Sequence, residues 1–179
     1  MAPVVNKSAG VTNVSMSQLR QIFTGKITNW KQVGGADQKI SVVNRAQGSG
    51  TRATFEAAVL KGAKAVTSQE QDANGTVQKV VSTTPGAVSY LAFSYIKGDV
   101  KALSIDNVKP TDANVTTNKW TIWSYEHMYT KGKPNAQTAK FLTYMDSDKV
   151  QNGLVQKLGY ISIHSMQVQK DAKNVVTKK

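Results

Sequence analysis

The residues whose types and spacing best suit chemistry lie together in one short run, RAQGSGT, at positions 45–51. Gly48 and Gly50 permit backbone angles that other residues resist, so successive N–H groups can point at one centre. Ser49 and Thr51 add hydroxyl donors, and the guanidinium of Arg45 can offer two parallel donors to an oxyanion. This concentration of donors predicts a site for a dehydrated phosphate or sulfate.

The elements on either side of this run can position it. The β-branched segment KISVVN, at 39–44, predicts a buried strand, and a helix is predicted from Thr51 to Lys61. The strand would deliver the loop to the carboxyl edge of a sheet, where α/β proteins usually bind ligands. The helix would add unpaired N–H groups and the positive end of its dipole. Tyr90 and Tyr95 are expected to pack around the strand behind the loop.

Other loops that bind anions or carry nucleophiles do not fit this run. The P-loop pattern GxxxxGK[ST] and the dinucleotide pattern GxGxxG are both absent. The nucleophile elbow GxSxG needs a spacing that Gly48-Ser49-Gly50 lacks. An ordinary glycine-rich turn, with a serine or threonine capping the helix, fits the spacing as well as an anion site does. The spacing by itself therefore leaves these two interpretations open.

The rest of the chain alternates strand and helix patterns, which predicts an α/β fold. Further strands are expected at 3–6, 87–91, 101–105, 120–129 and 160–163. Further helices are expected from Ser15 or Ser17 to Gly25, around 77–81, after Pro134 with Ala139, Leu142 and Met145 on one face, and at 150–158. The basic residues from 166 to 179 are expected to form a mobile tail.

Composition narrows the possible partners. The net charge of +12 favours anionic partners such as nucleic acid, an anionic polymer or a small oxyanion, although the lysines are scattered. The absence of cysteine excludes disulfides and thiolate chemistry. His127 and His164 are the only histidines, they lie far apart, and no carboxylates cluster with them. We therefore predict no metal site, no cofactor and no catalytic residues, and we do not expect an enzyme.

Four segments carry a resemblance to a known family. They are LRQIFTGKITNWKQVGG at 19–35, ISVVNRAQGSGTRATFEAAVL at 40–60, TPGAVSYLAFSYI at 84–96 and YTKGKPNAQTAKFLTYMDSDKVQNGLVQKLGYISI at 129–163. In this order they closely resemble the phosphate-binding subunit of bacterial phosphate ABC transporters, the PstS type. The resemblance covers nearly the whole chain.

The resemblance implies a type II periplasmic-binding-protein-like fold, in which two α/β lobes close on phosphate. Residues 1–165 would form one such lobe, the second, with a mixed sheet flanked by helices and with returning C-terminal helices, and 166–179 would be its basic tail. Arg45, Ser49, Gly50 and Thr51 would belong to the phosphate shell. Arg45 would supply the cation, Ser49 and Thr51 would donate through hydroxyls and backbone N–H groups, and Gly50 through its N–H. Arg52 would strengthen the field without binding directly.

The first lobe of this family, with its own glycine-containing loop, serine and carboxylate, has no counterpart in the sequence. We therefore expect the chain to be the C-terminal portion of a longer extracellular protein attached to the cell surface. The acidic residue that accepts a proton from phosphate would be missing, and an open half-site is exposed to water, which weakens every electrostatic contact. Weak phosphate binding is the expectation for this chain.

Three functions can be compared at this point. The leading hypothesis is a solute-binding protein that captures inorganic phosphate and delivers it to an ABC permease in the membrane, with no nucleic-acid partner. The alternative is a basic nucleic-acid-binding domain, which the charge motivates and which predicts a steep salt dependence. A phosphatase using Ser49 would need a base close to that hydroxyl, and neither histidine has a sequence context that suggests one.

Overall fold

The structure is a computed structural model and describes residues 1–179. Its strands are β1 Ala2–Asn6, β2 Asn13–Val14, β3 Ser41–Arg45, β4 Gln69–Gln71, β5 Ala87–Leu91, β6 Val100–Ala102, β7 Ser104–Ile105, β8 Val168–Lys170 and β9 Val176–Lys178. Its α-helices are α1 Met16–Phe23, α2 Gly50–Phe55, α3 Asn74–Thr83, α4 Asp112–Thr116, α5 Ala136–Met145 and α6 Val155–Lys157. Helix α2 continues directly as a π-helical stretch, Glu56–Leu60, and α6 is preceded by another, Val150–Leu154.

Five strands form a mixed central sheet in the order β4-β3-β5-β1-β6. β3 runs parallel to both β4 and β5, whereas β1 runs antiparallel to β5 and β6. The carboxyl ends of β3, β4 and β5 therefore meet at one edge of the sheet, which is the usual place for a ligand in an α/β protein. Arg45 and Gln71 are the last residues of β3 and β4 and lie opposite each other in register.

The sheet is covered on both faces. Val88 and Tyr90 of β5 point into the larger apolar cluster, together with residues of α1 and α2. Ala87 and Leu91 of the same strand point into a smaller cluster, against α3. Because β5 is buried on both faces, its sequence is apolar at every position except Ser89 and does not alternate between apolar and polar residues.

Helix α1 shows why its sequence starts a helix where it does. The Ser15 hydroxyl accepts from the Gln18 N–H at 3.0 Å, and the Gln18 side chain accepts from the Ser15 N–H at 2.8 Å. This capping box satisfies two N–H groups that the helix itself leaves unpaired. Of the two predicted caps the structure uses Ser15, and Leu19, Ile22 and Phe23 are buried as the spacing predicted.

The predicted strand at 120–129 was wrong. Trp120, Ile122 and Trp123 are buried, but this segment pairs with no strand and its later residues are exposed. The indole N–H of Trp120 donates to the Met1 carbonyl at 3.0 Å, and that of Trp123 donates to Asn118 Oδ1 at 2.9 Å. The alternation of large apolar residues therefore reflects individually docked side chains and not a hydrogen-bonded ladder.

Two further predictions near the C-terminus also differ from the structure. No strand forms at 160–163, where a 3₁₀ turn at Ile163–Ser165 follows. The helix predicted after Pro134, by contrast, forms as α5: Ala139, Leu142 and Met145 are half-buried, whereas Phe141 and Tyr144 are exposed. Residues 166–179 are not a tail without regular structure, because β8 and β9 form an antiparallel hairpin and Met166 and Val168 join the larger core. These apolar side chains give the basic segment enough burial to be ordered.

The predicted strand at 101–105 is divided in two. Its first part, β6, pairs with β1 at the edge of the central sheet, and its second part, β7, pairs in parallel with β2. No helix in the structure combines the length and the apolar character needed to cross a bilayer.

Candidate anion-binding site

Arg45 ends β3 with a guanidinium that is fixed along one edge. Its Nε donates to the Gln71 carbonyl at 3.3 Å and its Nη2 donates to the Asp72 carbonyl at 2.6 Å. The residue is only 7% exposed, and its Nη1 is buried without any hydrogen-bond partner in the protein. A buried donor left unpaired costs about 1–3 kcal/mol, more when it is charged. The structure thus holds one cationic donor without an acceptor at the edge of the sheet.

The backbone N–H of Arg45 is held by the side chain of Asn44, which is held in turn by Tyr90. Asn44 Oδ1 accepts from the Arg45 N–H at 2.9 Å and also from the Tyr90 hydroxyl. Burial raises the pKa of Tyr90 to about 12, so the phenol stays protonated as a donor at physiological pH. The ring of Phe55 stacks on that of Tyr90 with centroids 4.0 Å apart. Tyr90 packs behind the loop as expected, but its hydrogen bond to Asn44 was not predicted because the sequence does not show which residues are neighbours across the sheet.

The loop itself is closed by a short turn. The Ala46 N–H donates to the Gln71 carbonyl at 2.9 Å, and the Ser49 N–H donates back to the Ala46 carbonyl at 3.2 Å. Gly48 has a φ of 83°, a conformation that residues with a side chain rarely adopt. This turn uses the Ser49 N–H, whereas the resemblance implied that this group would donate to the anion. The Ser49 hydroxyl accepts from the Arg52 N–H at 3.3 Å and keeps its own hydrogen available for donation.

The start of helix α2 presents the free backbone donors. The N–H groups of Gly50 and Thr51 have no acceptor in the protein, and the Thr51 hydroxyl makes no hydrogen bond either. Gly50 does not use a positive φ, in contrast to the sequence-based expectation. A Cβ built at Gly50 would meet no atom within 4 Å, so the space beside this residue is open. The two N–H groups lie at the positive end of the helix dipole, where anions are favoured.

Arg52 sits behind the loop and is already paired. Its Nε donates to Glu56 at 2.7 Å, and its Nη1 donates to the Arg45 carbonyl at 2.7 Å and to Glu70 at 2.6 Å. Burial by itself would lower the pKa of Arg52, but the hydrogen bonds and charges of Glu56 and Glu70 outweigh it and raise this pKa above its usual value. Two carboxylates therefore balance the charge of Arg52, which agrees with the expectation that it is not a direct ligand.

Neither histidine takes part in this site. His164 pairs through Nδ1 with Asp148 at 2.8 Å in the C-terminal region, and His127 is exposed. The Ser49 hydroxyl has no hydrogen bond to a carboxylate or an imidazole that could act as a base. No group of three or more histidine, aspartate or glutamate side chains is arranged to hold a metal ion. The arrangement can donate hydrogen bonds to an anion, but it offers no activated nucleophile.

The fold and the site define a class of protein. Residues 1–149 match the sequence profile of a family described as the PBP superfamily domain. A protein of Clostridium perfringens described as a phosphate ABC transporter substrate-binding protein, solved with bound phosphate, superposes with a TM-score of 0.79 at 31% identity, over 90% of this chain and 68% of that one. An ABC-type phosphate transport receptor of Vibrio cholerae gives a TM-score of 0.74, also at 31% identity, over 89% and 68% of the two chains.

The sequence comparison is more specific. The phosphate-binding protein PstS of Bacillus subtilis is 49% identical over 173 residues, which cover 96% of this chain and 58% of that protein. The chain thus spans little more than half the length of this relative. The chain belongs to the PBP superfamily and, within it, to the PstS-type family. The predicted mixed α/β fold is confirmed, and nothing in these relatives supports the nucleic-acid-binding alternative.

Proposed function

We propose that this chain binds inorganic phosphate at the loop 45–51 and serves as the solute-binding component of a phosphate ABC importer. The observation that carries the proposal is the buried guanidinium of Arg45, whose Nη1 has no partner. It lies in a loop that also leaves the N–H groups of Gly50 and Thr51 unpaired. The relatives named above are substrate-binding proteins and not enzymes, which favours capture over turnover.

Each assigned residue has a separate part in this proposal. Arg45 supplies the charge-assisted donor, and such hydrogen bonds contribute about 1.5–3 kcal/mol each. Gly50 donates through its backbone N–H, and the space beside this residue is open. Thr51 donates through both its N–H and its hydroxyl, whereas Ser49 donates through its hydroxyl alone.

The affinity of this chain is expected to be weak. The donors come from one side of the anion, and apart from buried Arg45 they belong to residues that are partly or fully exposed, so water competes for their hydrogen bonds. A dissociation constant in the millimolar range, equivalent to roughly −4 kcal/mol, is the expected outcome. In the longer protein a second lobe would close over the anion, because contacts that exist only in the closed state shift the population toward it.

The transport role follows from the same comparison. The longer protein would work outside the cytoplasmic membrane, attached to the cell surface, and would deliver phosphate to an ABC permease. The net charge of +12 would attract anions toward the protein and raise the rate of encounter at low ionic strength. It supplies no specificity, which depends on the local donors of the loop.

Phosphate titration of ¹⁵N-labelled protein, followed by two-dimensional NMR, tests the proposal. The amide signals of Gly50 and Thr51 should shift along a saturable curve, and potassium chloride at matched ionic strength should leave them in place. A titration to about 50 mM would register binding as weak as about −2 kcal/mol. If phosphate and chloride move these amides equally, and without saturation, the loop is an ordinary helix-capping turn and the proposal is wrong.

A further inference from the structure

Arg52 connects both ends of the candidate site. Its Nη1 donates to the carbonyl of Arg45, the first residue of the loop, at 2.7 Å, and its backbone N–H donates to the hydroxyl of Ser49, further along the loop, at 3.3 Å. The same Nη1 donates to the carboxylate of Glu70, the middle residue of β4. One residue of α2 thereby ties the loop to two neighbouring strands.

These bonds complete the restraint of Arg45. Asn44 holds its N–H, the carbonyls of Gln71 and Asp72 hold one edge of its guanidinium, and Arg52 holds its carbonyl. Only Nη1 of Arg45 then remains without a partner, and its position follows from the other contacts. Without Arg52, the Arg45 carbonyl would lose its side-chain partner, and of the loop's links to β4 only the bonds of Ala46 and Arg45 to the Gln71 carbonyl would remain.

The charges around Arg52 indicate that this residue does not attract the anion by long-range electrostatics. Glu56 and Glu70 both pair with the guanidinium, at 2.7 and 2.6 Å, so this trio has no net positive charge to attract an anion. The Arg52 side chain is only 11% exposed. Because its Nε and Nη1 already donate to acceptors in the protein, Arg52 is suited to holding the loop in place.

We propose that Arg52, supported by Glu70, is a positioning residue of the anion site that fixes Arg45 and the loop without touching the anion. This inference rests on the proposed function, because it concerns the affinity of the same site. Replacing a residue that orients a ligating group commonly costs 10–100-fold in affinity, as known for the outer partners of metal ligands. We expect the phosphate dissociation constant to rise about tenfold in Arg52→Gln.

Three variants separate positioning from a direct or a through-space role. Arg52→Lys keeps the positive charge, but the lysine ammonium lacks the planar fork with which arginine contacts the Arg45 carbonyl and both carboxylates. The Arg52→Lys protein should therefore lose nearly as much phosphate affinity as Arg52→Gln. Glu70→Ala removes a negative charge near the site and also one anchor of Arg52. Positioning predicts weaker binding for Glu70→Ala, whereas a through-space effect predicts tighter binding.

Arg20 supplies a matched control. Its Nε donates to the Val59 carbonyl at 2.6 Å, so it is a partly buried arginine that joins two elements in the same chemical manner but has no bond to the loop. Arg20→Gln should lower the melting temperature and leave the dissociation constant for phosphate unchanged. All variants are compared by the NMR titration above, with thermal unfolding to establish that each is folded.

The outcomes are distinguishable. Absence of a saturable phosphate shift in the unaltered protein would overturn the proposed function and this inference together. Saturable binding by the unaltered protein with unchanged affinity in Arg52→Gln, or retained affinity in Arg52→Lys, would overturn the inference alone. Should Arg52→Gln fail to fold, tighter binding by Glu70→Ala would still refute positioning and weaker binding would support it.

Discussion

Replacing Arg45 by glutamine should separate binding from stability in this protein. The substitution removes hydrogen bonds to the carbonyls of Gln71 and Asp72, and each bond to a charged donor contributes about 1.5–3 kcal/mol. It also removes the buried Nη1, which has no partner and costs about 1–3 kcal/mol or more. Because the gain from removing Nη1 offsets only part of the loss of about 3–6 kcal/mol from the two bonds, the free energy of unfolding without anion should fall by about 2–3 kcal/mol.

Phosphate binding should weaken as a separate effect of the same change. Loss of one charge-assisted donor, about 1.5–3 kcal/mol, corresponds to a dissociation constant about 10 to 150 times higher. Urea unfolding with and without phosphate measures both quantities on one sample, because a ligand stabilises only the state that binds it. Arg20→Gln, which keeps the loop intact, should retain the stabilisation by phosphate.

One result would refute this reasoning directly. If folded Arg45→Gln binds phosphate within about threefold of the unaltered protein, less than about 0.7 kcal/mol, then the unpaired Nη1 is not a ligand donor. A large loss of stability without anion would show instead that Arg45 serves mainly to join β3 to the end of β4. Arg45→Lys is a useful companion, since it keeps the charge and loses the planar fork.

Four other outcomes are expected. Ser49→Ala should lower the free energy of unfolding by about 1 kcal/mol in urea titrations, because the cap of α2 is lost, and should also weaken phosphate binding. The free energy of unfolding should not depend on Tyr90 ionisation below pH 10, and it should fall between pH 10 and about 12, because the unfolded state releases the phenol proton first. In alkaline unfolding curves, Tyr90→Phe should lack this fall. Burial lowers the pKa of Lys170 to about 8, and NMR of ¹³C-methylated lysines should show this residue titrating near that pH. The free energy of unfolding should rise between about pH 8 and 10.5, because over this range the unfolded state holds the Lys170 proton more tightly than the folded state does. Leu158→Asn should change the free energy of unfolding by less than about 0.5 kcal/mol, because that side chain is 64% exposed.

Each of these can fail in a definite way. Unchanged stability in Ser49→Ala would show that its hydroxyl does not cap α2 in solution. A normal phenol titration at Tyr90 would mean that its ring is not enclosed, and a Lys170 titration near pH 10.5 would mean that its amine is hydrated. A loss above 1 kcal/mol in Leu158→Asn would indicate that α5 and α6 pack more closely than the structure shows.

The segments of the fold that were predicted correctly are those with strong local signals. The β-branched run at β3, the apolar run at β5 and the amphipathic spacing of α1 each identify an element, since side-chain periodicity and capping act over a few residues. The failures at 120–129 and in the hairpin β8–β9 have the opposite cause. There the buried side chains dock against distant parts of the chain, and the local pattern does not report which partner is available.

The sequence by itself determined that a run of donors, RAQGSGT, follows a strand and opens a helix, because residue types and short-range spacing are sufficient for that conclusion. Only the tertiary structure decided which donors remain free. It pairs the Ser49 N–H within its turn and Arg52 with two carboxylates, and it leaves Nη1 of Arg45 and the N–H groups of Gly50 and Thr51 without acceptors. The physical reason is that hydrogen-bond satisfaction depends on groups brought together from β3, β4 and α2, which spacing along the chain does not encode.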